Sequence, residues 1–311
     1  MEAFMTVALK VAVMIIMIVV GWVITKRGVL TAKGASEITS IPLQIVTPCR
    51  IVNSFLGSDS SAVKTSTLLL AFATAVLAIF IAIVCSWCCF RKSPKSERTV
   101  LRFAIVFSNA GFMGIPLIQG ILGDEGVIYG SFFVAAFNII SWTYGYSLMS
   151  GGEKASISKI LFNPGTIGLA IGIPLYLLKV QLPDLIMEPV AGFANLNTPL
   201  AMIVVGSNIA KVKIKDFLTD KKVYAVSFIR LIVAPAILIG MLCLIRPNHD
   251  LFMSTSIQAA APVAANCVLF SVMFNQDSGL ASKLVAASTC LSIITIPLMT
   301  VLAQTVAGFV L

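Results

Sequence analysis

Few side chains in this sequence could carry acid–base or metal chemistry, and those few are badly placed for it. The single histidine, His249, follows Arg246-Pro247-Asn248 in a polar stretch, which leaves none for a catalytic triad or a histidine metal cluster. The 13 acids sit at the edges of apolar segments, as Asp124, Glu125, Asp216, Asp220 and Asp277 do. A relay of buried carboxylates is therefore disfavoured. Cys85, Cys88 and Cys89 cluster without a second cysteine pair or a histidine nearby, and packing explains them better than metal binding. No enzyme, cofactor or metal site is expected.

Amides, prolines and glycines are distributed differently, because they concentrate inside the apolar runs. One run contains Ser108-Asn109-Ala110-Gly111-Phe112-Met113-Gly114-Ile115-Pro116. Another contains Gln258-Ala259-Ala260-Ala261-Pro262-Val263-Ala264-Ala265-Asn266. Proline removes a backbone donor and frees a carbonyl. Such loose polar groups are tolerated at membrane depth only where they are packed in protein or line a cavity. The chemistry on offer is binding: Asn109, Gln258 and Asn266 can hydrogen-bond a ligand beside a broken backbone at Gly114, Pro116 and Pro262. Asn138, in the next apolar run, joins them as a candidate.

The elements that must position these residues follow from composition. Of 311 residues, 58% are hydrophobic and 11% charged, against roughly 25% charged in a soluble domain. Seven stretches of at least 19 residues carry no charge: 65 to 90, 103 to 123, 126 to 152, 160 to 178, 189 to 210, 251 to 276 and 284 to 311. Each is close to the ~20 residues a spanning helix needs. Segments 4 to 25, 37 to 57 and 223 to 245 qualify too, except for one cation each: Lys10, Arg50 and Arg230. The expected fold is all-α and integral to the membrane, with ten transmembrane helices. Unbroken apolar runs exclude a β-barrel.

The cations give the orientation. Of 22 Lys and Arg, 15 fall in odd-numbered loops, 3 in even loops and 4 inside spans. The positive-inside rule then places the odd loops in the cytoplasm and both termini outside. This topology accounts for the net charge of +9 without nucleic acid. The N-terminus lacks a signal peptide's basic region and cleavage site, so its apolar stretch is expected to remain as helix one.

The two interrupted runs are span four and span nine, the fourth of each set of five. That placement suggests two five-helix repeats, 1–150 and 151–311, the second inverted because five is odd. Interrupted helices at matching positions of inverted halves point to a transporter's central site. The Lys, Arg, Asp and Glu side chains found away from span ends are all cations, which suits an anionic ligand. Arg50 either snorkels to the outer headgroups or faces the substrate path. Lys10, Arg102 and Arg230, nearer span ends, are expected to snorkel.

The string Ser108 to Leu117 resembles the signature of the auxin efflux carrier family, which includes plant PIN carriers and bacterial malonate-type transporters. Asn163-Pro164-Gly165-Thr166-Ile167-Gly168, Asn197-Thr198-Pro199-Leu200 through Gly206, and Ala261 to Asn266 are similar to further helices of that family, in order and across the chain. The absence of a long central loop resembles its prokaryotic branch. The resemblance implies a bile-acid-symporter-like fold, with a scaffold of helices 1, 2, 6 and 7 and a transport domain of helices 3–5 and 8–10. Broken helices 4 and 9 would cross in the transport domain. It also implies an elevator-type carrier of small carboxylates, malonate-like or auxin-like, in the plasma membrane, with a dimer formed through the scaffold. Coupling to Na+ or protons, and the direction of transport, stay open. The alternative function is a non-transporting membrane sensor for a small anion.

Overall fold

A computed structural model describes residues 2–57, 65–153, 164–210 and 220–311. Among them every regular element is a helix, and the one trace of β structure is a single antiparallel bridge between Ser108 and Val263. In chain order the helices are α1 (Glu2–Lys26), α2 (Ala32–Ile41), α3 (Thr47–Gly57), α4 (Thr65–Cys88), α5 (Lys95–Val106), α6 (Ile115–Ile140), α7 (Tyr146–Ser150) and α8 (Pro164–Leu177). There follow α9 (Asp184–Asn195), α10 (Asn197–Ala210), α11 (Lys221–Phe228), α12 (Ala234–Ile245), α13 (His249–Ala259), α14 (Asn266–Met273) and α15 (Ser278–Val310). Five-residue π turns at Pro42–Val46, Ala110–Gly114, Ser141–Gly145 and Ile229–Val233 join α2 to α3, lead into α6, and join α6 to α7 and α11 to α12.

Five continuous helical stretches are long and apolar enough to cross a membrane: Ser66–Cys88, Ala110–Ser150, Asp184–Ala210, Lys221–Ile245 and Ser278–Val310. Ala12–Lys26 and Pro164–Leu177 are shorter apolar helices. The stretch Ala110–Ser150 runs for 41 residues, about 60 Å at ~1.5 Å per residue, which is twice a bilayer's apolar thickness. It is folded into two arms at Gly123, whose φ of 69° and ψ of −155° lie outside the helical region. Only glycine enters such a conformation without strain.

Polar caps mark helix starts where apolar segments meet loops. The side chains of Asp220, Asn248 and Asp277 accept from the backbone N–H groups of Lys222, Leu251 and Leu280. Each satisfies one of the amides that a helix start leaves open. Gly151, at φ 82°, ends α7 in a left-handed cap.

Helix pairing rests on small residues that let backbones approach closely. Helix α1 packs along α10, where a Cβ on Gly206 would lie 2.0 Å from the Ile18 carbonyl and one on Gly21 would lie 2.5 Å from that of Ile203. Helix α3 packs along α8 in the same manner, with Gly168 against Pro48 and Ile51, and Gly172 against Phe55. Helix α13 lies on α6. Ser254 and Gln258, four residues apart, donate to the carbonyls of Gly126 and Gly130, also four apart, each at 3.0 Å.

Candidate functional site

Helix α5 stops at Val106 and α13 at Ala259, and each chain then runs extended for a few residues before turning helical again. The two extended segments meet. The Asn109 N–H donates to the Pro262 carbonyl at 2.7 Å and the Ala264 N–H donates to the Phe107 carbonyl at 2.9 Å. These bonds bracket Ser108 and Val263, as in an antiparallel ladder. The Val263 N–H donates to the Ser288 hydroxyl at 3.1 Å. Unwound backbone at a crossing thus finds its partners in protein, as an apolar surround demands.

Beyond the crossing the chains re-enter helical turns at Ala110 and Asn266. The first amides of a helical segment have no acceptor inside it. Those of Gly111, Phe112, Ala265 and Asn266 have no backbone or side-chain acceptor among the described residues. All four residues line one cavity of about 70 Å³, together with Thr47, Ser108, Asn109, Phe137, Asn138 and Gly165. One water needs roughly 10–15 Å³, so the space suits a few waters or a compact ligand. The side-chain amides of Asn109, Asn138 and Asn266 make no hydrogen bond to protein among the described residues, though all three line the cavity. A second, smaller cavity of about 10 Å³ lies against Asn109, Phe112, Asn208 and Thr289. Asn109 borders both.

The opposite ends of the half-helices are filled. Arg230, in the π turn between α11 and α12, is buried. One of its terminal nitrogens lies 2.9 Å from the Ile105 carbonyl and 3.3 Å from that of Val106, and the other donates to the Ala259 carbonyl. These are the last carbonyls of α5 and α13, which carry the negative ends of the two helix dipoles. The snorkelling expected of Arg230 is thereby corrected, because its two terminal nitrogens donate to backbone carbonyls in the interior, while its buried Nε has no partner among the described residues. Arg102 extends over Trp87, its guanidinium carbon 5.4 Å from the ring centroid, a cation–π arrangement. The side chain of Lys10 lies outside the described residues.

Of the residues singled out from sequence, Asn109, Asn138 and Asn266 come together at the cavity. Pro262 holds the crossing through its carbonyl. Gly114 and Pro116 stand at the start of α6, and a Cβ on Gly114 would lie 2.9 Å from Gln258 Cγ. Gln258 is not at the cavity: it is fully buried with its Nε2 on Gly130, and its Oε1 has no partner. Arg50 is not there either. It is buried on α3 and donates to Gln119 and Asp124 of α6, with Asp124 as an ion pair, so it neither snorkels nor faces the cavity. Sequence reasoning missed Thr47 and Gly165, whose neighbours Pro48 and Pro164 were the only local signal. Asn163 lies outside the described residues.

Helices throughout the described residues, several of membrane length, and a largely apolar cavity with three amide side chains at a double helix break form the architecture of a membrane carrier. The model of the family described as "Membrane transport protein" matches residues 6–300. The chain belongs to this family, the auxin efflux carrier family. A protein of Methanothermobacter thermautotrophicus (strain Delta H), described as an "uncharacterized transporter", is 25% identical over 294 residues, covering 92% of this chain and 95% of the relative.

Proposed function

We propose that this transport protein carries small organic anions, of the carboxylate class, and binds them at the crossing of α5–α6 and α13–α14. One observation carries this reading. Two half-helix starts place four residues whose N–H groups have no protein acceptor, and three side-chain amides without a protein partner, in the lining of a single cavity, while Arg230 donates to the carbonyls at the matching half-helix ends. Helix starts and backbone amides hold carboxylates without a charged side chain in contact with them. Neutral donors of this kind bind an anion and still release it.

The same geometry supports two inverted five-helix repeats. Exchange of the first and sixth and of the second and seventh spans converts the α1–α10 contact into the α8–α3 contact, and both are present. The Ser108–Val263 bridge pairs the fourth span with the ninth, on the axis of such a repeat. Thr47 of α3 and Gly165 of α8 close one wall of the cavity and the crossing closes the other, as at a boundary between scaffold and moving domain in an elevator. The excess of Lys and Arg in the odd loops supports, on this reading, a plasma membrane location with both termini outside. An interior-negative potential favours anion export by about 2.3 kcal/mol per charge per 100 mV, which suffices without ion coupling.

Reconstitution tests this reading. Proteoliposomes with an imposed potential should move labelled malonate or a similar short carboxylate toward the positive side. Retained carboxylate binding without flux would instead make the protein a sensor, and neither binding nor flux for a carboxylate panel would remove the anion reading.

A further inference from the structure

We propose that Arg230 is the fixed countercharge that makes the crossing prefer anions, acting as a positioning and specificity-determining residue without touching the substrate. The inference rests on the carboxylate reading above. Two half-helices begin and two end at the crossing, and each end is equivalent to roughly half a charge, positive at starts and negative at ends. Left alone, the four ends sum to about zero, and the carbonyls of Ile105, Val106 and Ala259 would present a negative cage suited to a cation. The Arg230 guanidinium fills that cage with three donor contacts. It brings a full positive charge that no carboxylate neutralises, since the ion pairs among the described residues join Arg50 to Asp124, Lys222 to Glu97 and His249 to Asp250. The sum at the crossing becomes about +1, which matches one carboxylate.

The carbonyls that Arg230 holds are close in sequence to the cavity lining. Val106 is two residues before the cavity-lining Ser108, and the β bridge ties that segment to Val263. Arg230 and the residues whose carbonyls it holds are buried, so its charge is little screened. Arginine suits the role better than lysine because its planar fork reaches carbonyls of two helices at once. A substrate is therefore offered only positive helix ends, while the negative ends are already occupied by protein.

The test compares a carboxylate with its neutral isostere. Binding of malonate and of malonamide to purified protein in detergent would be measured by calorimetry for the wild type, R230Q and R230K. The wild type should bind malonate at least tenfold tighter than malonamide, R230Q should lose most of that preference while still binding, and R230K should keep it. A monodisperse R230Q with the wild-type ratio overturns the proposal, as does an R230K that loses the ratio. Should R230Q not fold, R230A prepared with millimolar guanidinium supplies the decision: its preference should rise with guanidinium and not with equal choline chloride, and no rise overturns the role. If the wild type binds no carboxylate, the functional reading fails first, and that outcome is distinct from a preference that Arg230 does not control.

Discussion

The backbone nitrogen of Asn109 lies 2.7 Å from the carbonyl oxygen of Pro262, so the two broken helices are tied at the residue that also borders both cavities. The Asn109 backbone is thus structural while its side chain is free of protein partners, and the two can be separated by mutation. Asn109→Ala keeps the backbone bond, and truncating an amide without a protein hydrogen bond should leave stability within about 1 kcal/mol. A lost hydrogen bond to a charged ligand is worth roughly 1.5–3 kcal/mol, so carboxylate affinity should fall by about tenfold or more. Normal flux in a well-expressed Asn109→Ala protein removes the side chain from the site.

Gln258 leads to the opposite expectation. Its Nε2 donates to the Gly130 carbonyl and its Oε1 is buried without a partner, so its work is between α13 and α6. Gln258→Met preserves volume and removes both the bond and the orphan acceptor, terms of opposite sign and about 1 kcal/mol each. Thermal unfolding should shift by a few degrees at most, with carboxylate affinity within twofold of wild type. A tenfold weaker affinity would return Gln258 to the site. Gly130→Ala is the harsher change, because its Cβ would lie 2.8 Å from Gln258 Nε2; it should lower the unfolding temperature clearly.

The ion pair of Arg50 with Asp124 links α3 to the turn of α6, beside Gly123. The Arg50 side chain is 8% exposed and that of Asp124 36%, which makes the two partners unequal. Asp124→Asn strands a buried cation on Gln119, whereas Arg50→Gln leaves a carboxylate that water can reach. Breaking a pair is costly chiefly through the buried charge left behind. Asp124→Asn should therefore destabilise more than Arg50→Gln, and the double variant less than the sum of the two. Carboxylate affinity should be unchanged in Arg50→Gln, since Arg50 is not at the cavity. Additive losses of unfolding temperature would show that the pair contributes nothing, and a weakened affinity would place Arg50 on the substrate path.

Much of this was legible in the sequence because it depends on local rules. Proline and paired amides inside apolar runs marked both helix breaks, and charge-free runs marked the helices. The fate of the cations was not legible. Depth along a helix suggested that Arg230 would reach headgroups, but its partners are carbonyls of residues 105, 106 and 259, far away in the chain and without any side-chain signature. Arg50 was ambiguous for the same reason: its partners Gln119 and Asp124 lie about 70 residues away in the chain, on either side of the Gly123 turn. Gln258 misled because an amide beside a break resembles a ligand group, whereas the glycines at 126 and 130 that receive α13 lie on another span.

Gly111 offers a test of cavity shape that leaves the crossing intact. It lines the cavity with an amide that has no protein acceptor, and a Cβ added there meets nothing within 4 Å. Gly111→Ala should therefore fold normally, and in a helical turn alanine is favoured over glycine by about 1 kcal/mol. The added methyl takes up part of a space of only about 70 Å³. Short carboxylates should keep affinities near wild type while longer or ring-bearing acids lose theirs several-fold, so the ratio of malonate to larger acids rises. Competition against labelled malonate reads this ratio directly. An unchanged ratio across the series would mean that substrate does not occupy the space over the Gly111 amide, and the half-helix start at Ala110 would then no longer be the anion's seat.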